Sequence, residues 1–277
     1  DGRLKYESMA FVGFEAYALV ATDSGLLLGH RNGLKVLDPG STQPRTLFTG
    51  EAEGVYTLAP SARDKDLVYG ISEQRLWLVR RSADRWNLLA SPSLNGASVS
   101  EVVETGPGEV WIGDSRGGPQ RWKIDTATGV VQLRETFGAK HGLVVDPHSG
   151  ARCFLLDGKL HVISGDKAFV FDGKRFQPDV APPVTLVDRL NELAVVDTPL
   201  GVYAYTSRQL WLRRKGETQW QQLHLGTGQA AGYSALKFNR DGVLRLATWD
   251  GLLQYQPGEK SLDPPPLKLG FQIARAD

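Results

Sequence analysis

"DGVLRLATWDGLLQY" (residues 241–255) and "DSGLLLGHRNGLKVL" (residues 23–37) are two versions of one phrase: an acid shortly ahead of an apolar run, a polar turn, then Gly-Leu and a second apolar run. A phrase repeated along a chain decides architecture ahead of local propensity, because each repeat is a unit that buries its apolar face only against its neighbours. With the first residue of the first apolar run as marker, the series is Leu26, Leu67, Glu109, Lys159, Val202 and Val243, at steps of 41, 42, 50, 43 and 41 residues. Six units fill the chain.

Each unit holds about four short β-type runs separated by Gly, Asp, Asn, Ser or Pro. In the second they read "VYTLAPS", "DLVYGIS", "RLWLVRR" and "RWNLLAS". Four strands in about 43 residues match one blade of a β-propeller, whose small sheets pack face to face around a channel. The expected fold is all-β, a propeller of six four-stranded blades, with seven as the alternative count. "RLWLVRRSADRWNLL" repeats as "QLWLRRKGETQWQQL", so that Trp77 and Trp86, like Trp211 and Trp220, stand on equivalent third-and-fourth-strand hairpins with their rings between neighbouring blades. Residues 3–9 are expected to close the ring by completing the blade begun by "SALKFN", "VLRLAT" and "LLQYQP", which removes an exposed edge. Pro264 to Pro266 cannot donate to a strand ladder, so the propeller is expected to span residues 1–263 and a linker to begin at 264.

Composition narrows the function. The 277 residues carry 32 basic and 31 acidic side chains without a long run of either sign, which gives no support to a nucleic-acid partner. The single cysteine, Cys153, lies in the apolar run "RCFLLD" and excludes an internal disulfide framework. No apolar run approaches the roughly 20 residues that cross a bilayer, and the opening at Asp1 reads as a piece of a longer polypeptide.

Catalytic motifs do not emerge. There is no Gly-x-Ser-x-Gly elbow, no His-Glu-x-x-His and no phosphate loop. "GTGQAAG" (226–232) has its third glycine one position late for a dinucleotide fingerprint and lies between strand patterns. The five histidines are scattered over the units, and Glu101 and Glu104, three apart on an expected strand, point to opposite faces. No cofactor, metal or catalytic residue is assigned.

A ligand would meet the loops joining second to third strands and those passing between blades. These supply His30, Arg31, Asp114, Arg116, Trp249 and Asp250 from the turns, and Lys140 and His141 from the elongated passage that makes the 50-residue step. Asp and Asn are also favoured in turns for their own backbone chemistry. A tryptophan in a turn, as in "TWDGL", either caps the channel or stacks on a ligand such as a sugar ring.

The phrases "EVWIGDSRGG", "LLLGHRNGL" and "LRLATWDGL" resemble the repeat of the two-component regulator propellers, in which an aliphatic-Trp-aliphatic-Gly-Thr run is followed by two loose positions and Gly-Leu. Only Trp111 keeps the motif's tryptophan, and His30 and Asp114 stand where the Thr is usual. The resemblance, over residues 1–263, implies a non-catalytic, ligand-sensing domain in the periplasm or otherwise outside the cytoplasmic membrane. Such a domain belongs to a membrane-anchored bacterial signalling protein of the histidine kinase or diguanylate cyclase type. "PPPLKLGFQIARAD" is similar to the first strand of the immunoglobulin-like domain that commonly follows such propellers. The implied partners are an unidentified small molecule, carbohydrate among the classes, the following immunoglobulin-like domain, and a second copy in a homodimer. The competing classes are a propeller enzyme of lactonase, glycosidase or lyase type and a protein-interaction scaffold; fold does not choose between them.

Overall fold

The computed structural model describes residues 16–49, 54–83, 85–94, 99–198, 200–223, 233–238, 244–248 and 251–255. Over these residues the chain forms one small sheet after another. The first holds β1 (Ala16–Thr22), β2 (Gly25–His30), β3 (Gly33–Leu37) and β4 (Arg45–Thr49); the second β5 (Thr57–Pro60), β6 (Leu67–Ile71), β7 (Leu76–Ser82) and β8 (Arg85–Ala90). The third holds β9 (Val99–Gly106), β10 (Glu109–Asp114), β11 (Gln120–Ile124) and β12 (Val131–Thr136); the fourth β13 (Arg152–Leu156), β14 (Lys159–Ser164), β15 (Lys167–Phe171) and β16 (Phe176–Pro178). The fifth is β17 (Ala194–Thr198), β18 (Gly201–Tyr205), β19 (Leu210–Arg214) and β20 (Gln221–Gln222), and the sixth shows β21 (Tyr233–Phe238), β22 (Leu244–Thr248) and β23 (Gly251–Tyr255).

Strands lie side by side in chain order in every sheet, antiparallel throughout the first, for example, with Leu27 opposite Val20 and Val36. The repeat markers Leu26, Leu67, Glu109, Lys159 and Val202 all fall on second strands, and the four runs read in the second unit become β5 to β8. Val243, the closing segment 3–9, the dinucleotide-like loop 226–232 and the boundary at Pro264 to Pro266 lie outside the described residues.

The chain divides into two compact units, the first comprising residues 1–153 and 173–176, the second 154–172 and 177–277. In the first unit the core lies between consecutive sheets. Val20, Leu27, Leu34 and Val36 of the first sheet pack with Val68, Trp77, Val79 and Trp86 of the second; Leu67, Tyr69, Leu76 and Leu78 pack with Val110, Ile112, Trp122 and Ile124 of the third. Both faces of the second strands are therefore covered, which is why β6, "LVYGI", is a continuous apolar run buried at all five positions. In the second unit Phe154, Leu156 and Ile163 pack with Val202 and Ala204, against Trp211 and Trp220. The paired tryptophans thus stand between sheets, as their repeat implies.

A second long connection, residues 179–193, joins β16 to β17 and contains a 3-10 turn at Leu190–Glu192. The 43-residue step conceals it, because β16 is only 3 residues long and the connection takes up the difference.

Candidate functional site

In an antiparallel meander the start of the first strand, the turn between second and third strands and the end of the fourth share one edge. Arg31, Arg116 and the elongated connection lie at this edge of their sheets. One device recurs in these turns. Asn32 donates its backbone N–H to His30 Nδ1 at 3.2 Å, Arg75 to Ser72 Oγ at 3.0 Å, Arg116 to Asp114 Oδ1 at 3.0 Å and Arg208 to Thr206 Oγ1 at 3.2 Å. The acceptor always sits at or just after the end of a second strand and is buried: His30 is 5% exposed, Ser72 2%, Asp114 7% and Thr206 1%. A short side chain that accepts from the backbone N–H two or three residues on fixes the turn. His30 and Asp114 therefore perform in their turns the task that Thr206 performs in the fifth sheet. Burial first, and the Lys35 charge second, push the His30 imidazole below its ordinary pKa, which favours the neutral ring, and the donating Asn32 N–H marks Nδ1 as its accepting nitrogen.

Arg31, Arg116 and Lys140 are exposed, and His141 is half-buried. The connections between sheets are tied to the same turns, with Val55 N–H donating to His30 O at 3.0 Å and Leu94 N–H to Gln74 O at 2.7 Å. Arg134 holds the second of these connections, donating to Ser93 O and Leu94 O while its guanidinium lies 4.4 Å from the Trp122 ring centroid.

The elongated connection, residues 137–151, is anchored at both ends on the turn that follows β10. Phe137 N–H donates to Pro119 O at 3.0 Å and Ala151 N–H to Asp114 O at 2.7 Å. Gly118 permits the approach, since a Cβ there would stand 1.8 Å from Phe137 O. The His141 ring packs on Phe137 at 4.6 Å and Phe137 on Trp111 at 4.7 Å. Asp114, Arg116, Lys140 and His141 are thereby gathered into one loop cluster, whereas His30 and Arg31 belong to the turn of the first sheet. Trp249 and Asp250 lie outside the described residues.

Elsewhere the polar side chains serve structure. Glu101 meets Arg152 Nε at 2.7 Å, while Glu104 accepts from Ser61 Oγ at 2.7 Å and Ala62 N–H at 2.9 Å, so the two carboxylates face different sheets, as their spacing implies. Cys153 is buried, and burial followed by the Glu101 charge raises its thiol pKa well above the ordinary value, which suits a core side chain rather than a nucleophile. A buried pair not read from the sequence is His161 Nδ1 with Asp179 Oδ2 at 2.8 Å, under Phe154 stacked 5.1 Å from the imidazole. No group of three or more His, Cys, Asp or Glu able to hold a metal occurs among the described residues.

No family model matches the chain, and no curated protein matches it. Solved structures do. The extracellular domain of BT4673 from B. thetaiotaomicron, described as a hybrid two-component system, aligns over 90% of this chain with a TM-score of 0.62 at 16% identity. That of BT3049 from the same organism aligns over 87% with a TM-score of 0.54 at 14% identity. This chain spans about a third of either, 32% and 33% of their lengths. A catalytically inactive virginiamycin B lyase from Staphylococcus aureus, solved with quinupristin, aligns over 91% of this chain and 87% of its own with a TM-score of 0.61 at 10% identity. The chain thus shares the fold of extracellular domains of two-component signalling proteins, the class its repeat resembles.

Proposed function

We propose that this chain is the ligand-sensing, non-catalytic domain of a membrane-anchored bacterial signalling protein, placed outside the cytoplasmic membrane. Its propeller would consist of six blades closed by residues 3–9. The observation that carries the proposal is the likeness, over 90% of the chain, to about a third of the extracellular domain of a two-component protein. The site supports it: turns locked from within by His30 and Asp114 hold Arg31 and Arg116 exposed on small sheets, and Lys140 is exposed on the connection anchored beside Asp114, an arrangement suited to recognition. Trp249 and Asp250 would extend that surface. The downstream partner would be an immunoglobulin-like domain beginning near residue 264, and a homodimer would carry the signal across.

The test joins the chain through a membrane helix to a histidine kinase and screens sugars, amino acids and organic acids for a change in phosphotransfer. A ligand that changes output and loses its effect in Arg116→Gln supports the proposal; a compound consumed by the isolated domain replaces sensing with catalysis. The lyase reading is the second one, favoured by a likeness that spans 87% of that enzyme.

A further inference from the structure

In the first unit two tyrosines are exposed where side chains of their size are ordinarily covered: Tyr17 at 40% and Tyr56 at 43%. They are neighbours, with ring centroids 5.2 Å apart and planes inclined at 40°. Tyr17 stands at an irregularity at the start of β1, where the pairing passes from Ala16 with His30 to Ala18 with Gly29 and leaves Tyr17 as the extra residue. Bulges of this kind re-aim one side chain and cluster at binding sites. Tyr56 immediately precedes β5, its N–H donating to Ile71 O at 2.9 Å, and Val55 beside it is pinned to the turn of the first sheet. The two aromatic side chains are thus set by backbone hydrogen bonding where the first strands of consecutive sheets, β1 and β5, lie against each other.

The backbone of a basic residue borders Tyr56. A Cβ placed on Gly54 would stand 3.0 Å from Tyr56 Cζ and 3.2 Å from Arg31 Cα, so the phenol end of Tyr56 and the Arg31 backbone meet across that glycine. Arg31 is exposed, the turn 30–33 carries no acid, and Asn32 beside it is neutral. Tyrosine faces offer apolar area with little rotamer entropy to lose, and a guanidinium presents a planar fork to a carboxylate.

We infer that Tyr17, Tyr56 and Arg31 form a subsite for a small ring-bearing carboxylate, its ring on the tyrosines and its carboxylate on Arg31. The inference rests on the ligand-sensing reading and adds a substrate class and two residues to it. The chemistry is shared by aryl carboxylates and uronic acids.

Isothermal titration of the folded domain with benzoate, benzyl alcohol, glucuronate and glucose tests it. One carboxylate is expected to bind about tenfold or more tighter than its neutral counterpart, and which of the two identifies the source. Arg31→Gln is expected to erase that preference, and Tyr56→Ala and Tyr17→Ala to weaken binding of both members of the pair, each with an unchanged melting temperature. Equal affinity for acid and alcohol, binding indifferent to the three substitutions, or no binding of either carboxylate overturns the subsite. A different compound from the kinase screen that still binds the domain would leave the sensing reading standing while the subsite fell; silence in both experiments would remove both.

Discussion

The hairpins β7–β8 and β19–β20 are written with almost the same letters, yet one is sealed and the other half open. Trp77 and Trp86 are 5% and 1% exposed, whereas Trp211 and Trp220 are only half-buried. The nine-residue spacing closes two different hairpins. In the second sheet Arg81 pairs with Trp86 across a tight turn, while in the fifth Trp211 pairs with Gln222, which puts Trp220 across from Arg213. Both arrangements set the two indoles on one face. What differs is the residue between them: Val79, fully buried, corresponds to Arg213, which lies 5.2 Å from the Trp220 ring and pairs with Asp157. An apolar residue at that position lets the neighbouring sheet close over the face; an arginine must keep its head near water and holds the face ajar.

Exchanging the two residues should break this contrast with the largest effect. Val79→Arg puts a charge without a counter-ion into a closed core and is expected to cost more than about 4 kcal/mol in urea unfolding. Arg213→Val gives up an exposed ion pair and a ring contact and should cost no more than about 1 kcal/mol. Truncation sharpens the comparison: Trp86→Ala is expected to lose about 3–5 kcal/mol, and Trp220→Ala roughly 1–2 kcal/mol, because half of its surface already meets solvent. Equal losses for the two tryptophans would show that the hairpins are closed alike.

Acid distinguishes the two units more gently. Glu192, in the second, accepts from Ser207 and from Arg189 Nη1, and these bonds, Ser207 first, hold its carboxyl at about 2 against an ordinary 4.5. A depressed carboxylate contributes stability above its unfolded pKa and loses it as the group is protonated. The urea midpoint should therefore fall between about pH 4.5 and pH 2, and less steeply in Glu192→Gln. His30, in the first unit, has its pKa lowered from 6.5, so its contribution is present above pH 6.5 and is lost as pH falls toward the folded value. His30→Thr supplies the hydroxyl that the resembled motif holds, keeps an acceptor for the Asn32 N–H, and should flatten that part of the pH profile with the smallest change in stability of the series.

Periodicity made the sheets legible, since a marker such as Leu67 falls on a second strand wherever two apolar faces must be covered. The site was less so. In the sequence His30 and Asp114 read as polar turn residues; each is the last residue of its second strand, and the sequence does not say whether such a side chain faces a ligand or its own backbone. Tyr17 and Tyr56 lie 39 residues apart, one in β1 and the other just ahead of β5, and only pairing of β1 with its bulge and packing of β5 against it bring the rings together. His161 and Asp179 escaped for the same reason, one on a strand and the other in a connection whose length the repeat concealed.

A sensing domain binds its ligand and does not transform it. Calorimetric titration with whichever ligand alters kinase output, followed by mass spectrometry of the compound recovered from the same cell, tests that most directly. A saturable heat with the ligand recovered intact is the expected result. A heat that continues after saturation, with a product of altered mass, would contradict it.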